Sequence, residues 1–313
     1  METPEISIVV PTYNGERTVV DCLQSVKVAI GDRHAEIIVS DSSSDATPDL
    51  VADRFPEVRL LRSQERMSAG AARNRGAAAS RGHLLFFTDQ DCVVPPDWID
   101  RLQAHLRDPA VDGAGGAVGI RNPTSASGCA LYFLEFLYHF PARRDPQRDT
   151  SFLVGCNAAY RAQVLHAVLF PDQTIGEDVL FGRELQQRGF HTLYDATIEV
   201  LHQNKEGWRI FFAYNHRMGR ASANYQLALG RRSGAIALRY PALAFAAPLV
   251  ILPSIARRLL GSHRSYFRRF SVVAPMCVVG NLCWATGFWT QARARAATAH
   301  DDDVAGRVSR HGA

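Results

Sequence analysis

The sequence predicts an α/β chain: a mostly parallel sheet flanked by helices, followed by C-terminal hydrophobic helices. Three observations carry this. Short runs of β-branched and aliphatic residues alternate with helical patterns through roughly the first hundred positions. Acidic residues fall just after several of those runs, and the last third of the chain changes both charge and hydropathy.

Ile6 to Val10 is a β-branched apolar run closed by Pro11, hence a buried strand, and Gly15 opens a helical pattern of Val19, Val20, Leu23 and Val26. Glu36 to Val39 is a second strand. It ends at SDSSSDATPDLV, where Asp45 or Thr47 can cap a helix that Pro48 starts. Val58 to Leu61 is a third strand, and the small-residue helix SAGAARNRGAAASRG leads to a fourth, Leu84 to Phe87. Gly113 to Gly119 lacks the strand-turn-helix spacing of a dinucleotide loop and reads as a flexible strand or loop near the site. The stretch 128–140, with six aromatic rings counting His139, reads as a buried helix or as a lipid-touching surface. Glu177 and Asp178 open a helix that Phe181 and Leu185 bury and Gly189 stops; Thr197 to Leu201 is a strand before His202; Trp208 to Tyr225 is an amphipathic helix.

In a parallel sheet, ligands bind beyond the carboxyl ends of the strands. Thr12, Tyr13 and Asn14 follow the first strand, Asp41 the second, and Asp89 and Asp91 the fourth, so all should line one crevice. Two aspartates one residue apart, on a bend that Pro95 and Pro96 keep from continuing, can converge on a hard divalent cation and leave positions open for phosphate oxygens. Tyr13 can stack on a base, Asp41 can accept from a base or ribose, and Arg73 can bind a phosphate or hold an aspartate.

Composition narrows the function. Of the 313 residues 47% are hydrophobic and 21% charged, an ordinary globular balance. Residues 1–202 carry 19 Lys/Arg against 27 Asp/Glu, net −8, and residues 203–313 carry 16 against 4, net +12. A basic tail suits nucleic acid or an anionic membrane, and the apolar runs between its arginines exclude the first. The six cysteines show no CxxC pair and no metal-ligand spacing, which favours a reducing compartment. No basic segment precedes the first apolar run, so the N-terminus is not read as a signal peptide, and the catalytic part is expected on the cytoplasmic face of the cell membrane.

PTYNG, VSDSSSD, GAARNRG and TDQDCVVPPDW, in that order, together with FLVGCNAAYR (152–161) and GEDVLFGRELQQRGF (176–190), resemble the family 2 glycosyltransferases. These are inverting enzymes of the GT-A fold, a Rossmann-like nucleotide-diphospho-sugar transferase architecture. The resemblance covers about residues 5–205, several ordered motifs being more specific than one. It departs mildly at Ser40, where the family often has a second acidic residue beside the one at Asp41. It implies a nucleotide-sugar donor held by Pro11, Thr12, Tyr13, Asn14, Asp41, Arg73, Asn74, Asp89 and Gln90. It further implies Mg2+ or Mn2+ on Asp89, Asp91 and His202, Asp178 as the base with Glu177 beside it, and Gly155, Cys156 and Asn157 near the acceptor. The absence of a QxxRW-like signature favours single addition.

The domains expected are a GT-A catalytic domain over 1–205, an amphipathic connection over 206–235, membrane-associated helices over 236–291 and a disordered tail over 292–313. Tyr240 to Ala256 is 17 residues without a charge but with three prolines, and Phe270 to Gln291 is 22 without a charge. If both span, the arginine-bearing link between them lies outside, against the positive-inside rule. Segments lying in the cytoplasmic leaflet avoid that conflict, and a two-span hairpin is the rival. The location suggests a lipid-linked or envelope polysaccharide acceptor. Two other classes fit less well. A nucleotidyltransferase would want a glycine-rich basic loop after the first strand, where PTYNGER offers one glycine. A catalytically inactive nucleotide-binding membrane scaffold would not need both acidic pairs.

Overall fold

A computed structural model describes residues 4–142, 147–173, 175–229, 232–262 and 264–311. The first half alternates as expected: β1 (Ile6–Thr12), α1 (Val19–Ile30), β2 (Ala35–Asp41), α2 (Thr47–Arg54), β3 (Arg59–Arg62), α3 (Ala69–Ala79) and β4 (Leu84–Phe87). There follow β5 (Cys92–Val93), α4 (Trp98–Leu106), β6 (Gly113–Ile120), α5 (Ala126–Glu135), β7 (Gln147–Asp149) and β8 (Ala158–Arg161). Then come α6 (Ala162–Ala167), α7 (Glu177–Gln187) and β9 (Thr192–His202). The strands form one sheet in the order β3-β2-β1-β4-β8-β6-β9-β5, with β7 pairing β9. β3, β2, β1 and β4 run parallel, β8 is antiparallel to both its neighbours, and β6 and β9 are parallel again.

β1 is apolar throughout because both its faces are covered: Ile8, Val9 and Val10 are all fully buried. The small residues of α3 let it lie close on that sheet. A Cβ on Gly76 would sit 2.3 Å from Val9 Cγ1, and one on Gly70 would sit 1.9 Å from the Pro171 carbonyl oxygen. On the same side Phe87, Tyr160, Phe170 and Phe181 form one aromatic cluster, Phe170 stacking on Phe181 at 3.9 Å and Tyr160 meeting Phe181 edge-on at 5.5 Å. That cluster fixes α7 through Phe181 and Leu185, both 1% exposed.

Gly113–Ile120 is a strand, not a loop, with all eight residues buried. Its glycines make room: Gly113 lies against the Tyr160 ring, and Gly116 against the Ile198 carbonyl and the Asn157 amide. The pairing of β6 with β9 shifts register between Gly116 and Ala117. The Asn157 side chain supports the sheet at this irregularity, donating to the carbonyls of Ala117 and Ile198, both at 2.8 Å, while accepting from Trp98 Nε1 at 2.9 Å.

The chain divides into two compact units. The first runs up to Thr124 and takes in Phe136–Asn204 and the link Arg257–Arg268. Within it Tyr266 Oη donates to Glu199, and the Arg258 guanidinium lies 4.7 Å over the Tyr138 ring. The second holds Ser125–Glu135, Lys205–Ala256 and the chain from Arg269 on. Its helices are α8 (Trp208–Leu229), α9 (Arg232–Arg239), α10 (Ala247–Leu259, ending in the first unit) and α11 (Arg264–His311, beginning there). α8 and α11 pack by small residues, a Cβ on Gly219 falling 1.9 Å from the Trp284 carbonyl oxygen and one on Gly287 falling 2.0 Å from that of His216. α11 is helical through the stretch from Ala292 that composition suggested was without order. Two segments, Pro241–Leu259 and Arg264–Arg295, are long and apolar enough to cross a membrane by length and composition, and 17% and 39% of their most apolar windows are buried.

Replacing Asn157 by Ala removes three buried hydrogen bonds and leaves the Trp98 N–H without its acceptor. The expected loss is about 3 kcal/mol or more, read as a lower urea midpoint at unchanged slope. An unchanged midpoint would refute the bracing role.

Candidate active site

The β1–β2 register sets Thr12 beside Asp41, and the Thr12 hydroxyl donates to Asp41 Oδ1 at 2.7 Å. Ser43 donates to the same carboxylate through its hydroxyl at 2.6 Å and its N–H at 3.2 Å, so Asp41 is held rigidly at the end of its strand. The first loop is sewn to the second: Asn14 N–H donates to Ser43, Ser44 N–H to Asn14, and Gly15 N–H to Thr47. Asn14 takes the left-handed conformation at φ 52°, which asparagine tolerates. Tyr13 and Gln90 exchange two hydrogen bonds between the Tyr13 main chain and the Gln90 amide, at 2.9 and 3.0 Å. The Tyr13 ring is 38% exposed, and the Arg66 guanidinium lies 4.4 Å over it.

Arg73 is the hub. α3 begins at Ser68, whose hydroxyl accepts from Ala71 N–H at 3.1 Å, and one turn later Arg73 is 2% exposed. Its Nη2 donates to Asp89 Oδ1 at 2.7 Å and its Nη1 to Glu177 Oε1 at 2.6 Å. Gly155 is required beside it, because a Cβ there would meet the guanidinium carbon at 2.6 Å. Gly176 at φ 80° turns the chain so that α7 starts with Glu177 and Asp178 facing this arginine. Glu177 is 6% exposed, whereas Asp178 is half-buried and accepts from Val179 N–H at 2.8 Å. One cation thus pairs with two carboxylates and has the charge of a third, Asp178, nearby. Burial and the Asp178 charge push Glu177 up to about 7, and burial pushes Asp178 upward too, with Asp89 adding to the rise.

Asp91 lies apart from that cluster. β5 pairs with β9 so that Cys92 stands opposite His202, and Gln203 N–H donates to the Asp91 carbonyl at 2.8 Å. His202 Nε2 is thereby 3.5 Å from Asp91 Oδ1, and Asp91, Cys92 and His202 each offer a ligand atom within 4.8 Å of the others. The imidazole tautomer follows from its neighbours. Asn122 Oδ1 accepts from Asn204 N–H, and Asn204 Nδ2 donates to Asn122 Oδ1 and to the His202 carbonyl. Asn204 Oδ1 therefore faces His202 Nδ1, at 3.0 Å, so Nδ1 is the donor there and Nε2 is the ring nitrogen on the Asp91 side. A carboxylate and an imidazole suit a divalent cation with open positions, while burial pushes the Cys92 thiol well up and keeps it neutral.

The expected residues are not all used as expected. Asp89 gives Oδ1 to Arg73 and is not in the group that Asp91 and His202 form. Asn74 binds the Phe170 main chain through both ends of its amide, at 2.8 and 2.9 Å, as a strut between α3 and the segment before α7. Asn157 is fully buried with its hydrogen bonds internal, and Cys156 is 2% exposed, leaving Gly155 as the member of that trio beside Arg73. Pro11 pairs with Ser40 in register and is half-buried. Sequence reading missed Arg66, Trp98, Asn122 and Asn204. Only the Asn204 position, two residues past His202, offered a signal, as a partner able to orient an imidazole.

A carboxyl whose pKa is raised on folding is protonated in the folded chain while ionised in the unfolded one. The folded state then binds more protons, and stability falls as pH rises through the interval. For Glu177 that interval runs from 4.5 to about 7. The melting temperature of Glu177→Gln should fall less steeply than that of the wild type across it, and parallel curves would contradict the burial of Glu177 beside Asp178.

Residues 7–169 match the family described as Glycosyl transferase family 2. A putative glycosyltransferase, EpsH of Bacillus subtilis, is 36% identical over 108 residues, 33% of this chain and 30% of that protein. The succinoglycan biosynthesis protein ExoO of Rhizobium meliloti is 34% identical over 122 residues, 39% of this chain and 34% of that protein. The chain thus spans about a third of the length of these curated relatives. Among solved structures, the mannosyltransferase PcManGT of Pyrobaculum calidifontis, in complex with GDP-Man and Mn2+, is 20% identical, covers 95% of this chain and 87% of its own, and superposes with a TM-score of 0.59, a likeness of fold. With the family matching more than half its length and the sheet, loops and acidic motifs in place, the chain belongs to glycosyltransferase family 2, in its GT-A fold.

Proposed function

We propose that this chain is an inverting, divalent-metal-dependent glycosyltransferase that moves a sugar from a nucleotide-diphosphate donor to a lipid-linked or envelope polysaccharide acceptor at the cytoplasmic face of the cell membrane. The observation that carries it is Arg73, which joins Asp89, just beyond β4, to Glu177 in the first turn of α7, where Asp178 follows. One buried arginine thereby ties a diphosphate-side carboxylate to the helical turn that carries the candidate base.

Each residue then has a task. Tyr13 with Arg66 and the rigid Asp41 hold the base and ribose, and Gln90 fixes the loop that carries Tyr13. Asp91 and His202 Nε2 are the protein ligands for the cation, which when bound supplies positive charge against the diphosphate. Asp178, half-buried and with a raised pKa, takes the proton of the acceptor hydroxyl as that oxygen bonds to the anomeric carbon. The bond from that carbon to the diphosphate oxygen breaks with its electron pair, and the configuration inverts. Glu177 stays on Arg73 and keeps the guanidinium in place. The metal and donor seen in PcManGT support the donor class, the name of ExoO supports a polysaccharide product, and the two apolar helices support a membrane location.

Thermal melting with UDP, GDP, CMP and dTDP sugars, each with and without manganese, tests this. One nucleotide class should raise the melting temperature only with metal, and Asp91→Ala should lose the rise. Asp178→Asn should keep the rise while its turnover number falls by about 10²–10⁴. No rise with any nucleotide in the wild type would turn the reading to a non-catalytic scaffold.

A further inference from the structure

Most arginines of the catalytic unit that face another side chain face a carboxylate: Arg33, Arg62, Arg73, Arg81, Arg101, Arg121 and Arg188 each lie within ion-pair distance of an Asp or Glu. Arg148 and Arg258 do not. They come from distant parts of the chain, β7 and the end of α10, and meet on one residue. Arg148 Nη2 donates to the Tyr138 carbonyl at 3.0 Å, and its guanidinium lies 4.4 Å from the Tyr194 ring. The Arg258 guanidinium lies 4.7 Å from the Tyr138 ring. Both arginines and Tyr138 are exposed, and among the described residues neither arginine has a carboxylate within ion-pair distance. Beside them His139 is 4% exposed, and its Nε2 has no hydrogen-bond partner among the described residues. Burial, with the two arginines adding to it, holds His139 neutral at a pKa of about 3, so it adds no charge.

Two guanidiniums with no carboxylate at ion-pair distance among the described residues repel, and stacking on aromatic rings leaves donors available on both forks, Arg148 giving its Nη2 to the Tyr138 carbonyl. The anion whose geometry fits such forks is phosphate. Its source is set by what Arg258 ends. It lies in the last turn of the apolar segment Pro241–Leu259, in which Leu249 and Val250 are 78% and 71% exposed. Arg257, Arg264 and Arg268 belong to the same link and to the same unit as the catalytic sheet. An exposed apolar segment ending in basic residues suits an interface where phosphates are presented on lipids.

We propose that Arg148 and Arg258, seated on Tyr138, form a binding site for the anionic phosphate of a membrane lipid. The ligand is either a bilayer headgroup or the phosphate of a lipid carrier. As a site for a carrier it rests on the proposed transferase reading; as a site for a lipid phosphate it does not.

Flotation of the full chain with vesicles tests it, using phosphatidylcholine alone, with phosphatidylglycerol, and with a polyprenyl monophosphate. The double variant Arg148→Ala/Arg258→Ala should bind the phosphate-rich vesicles about tenfold or more weakly than the wild type. The control Arg33→Ala/Arg188→Ala, which removes the same charge elsewhere, should lose far less. Loss confined to polyprenyl phosphate vesicles assigns the carrier, and loss on phosphatidylglycerol as well assigns the headgroup. Loss no greater than in the control on both vesicle types overturns the site. Arg258→Gln, a single exposed substitution, serves if the double variant does not fold. The nucleotide-dependent melting of the same proteins reports the donor site separately, so flotation still tests lipid phosphate binding in a chain that binds no nucleotide.

Discussion

A buried arginine with two carboxylates on one guanidinium organises the catalytic half of this chain. Arg73 can stay charged at 2% exposure only because Asp89 and Glu177 each take one of its terminal nitrogens. Removing one partner from such a buried set typically costs about 3–5 kcal/mol, so the residues that shape its surroundings are tightly constrained. Gly155 has no side chain because the guanidinium fills the space, and Gly76 has none because α3 must lie close enough to β1 to deliver the arginine. The aromatic cluster of Phe87, Tyr160, Phe170 and Phe181 holds α7 in register with it from the other side. Burial, with three acids around one base, pushes Glu177 up to about 7 and pushes Asp178 upward as well.

The fold was largely legible, because its signals are local. β-branched runs, Pro48 at a helix start and small residues in α3 each report on their own neighbours, and the strands that form β1 to β4 fall where those signals placed them. Residues 113–120 were harder. Glycine is read from sequence as a loop former, whereas here it makes space for the Tyr160 ring and for the main chain at Ile198, contacts that lie far off in sequence. The site divides the same way. Asp41, Arg73 and Asp91 lie where strand ends and motif spacing put them. The separation of Asp89 from Asp91, one turned to Arg73 and the other to His202, depends on β9 arriving beside β5, which no local pattern announces.

The tail shows how a topological fact can be hidden in a composition that looks plain. Sequence alone leaves a two-span hairpin and a leaflet-lying arrangement as rivals, because both fit the same apolar lengths. The link Arg257–Arg268 belongs to the catalytic unit, tied there by Tyr266 on Glu199 and Arg258 on Tyr138. The chain therefore leaves that unit at Asn204 and returns to it between its two apolar segments. That return is set by contacts far apart in sequence, which no local pattern announces.

The proposed reaction requires that Asp91 and His202 hold the metal and that Asp178 reach the acceptor at one and the same donor. A crystal structure of the chain with manganese and an intact donor analogue tests it most directly. The metal is expected on Asp91 and His202 Nε2, and Asp178 on the face of the sugar opposite the diphosphate. A metal bound elsewhere, or Asp178 on the same face as the leaving group, would contradict it.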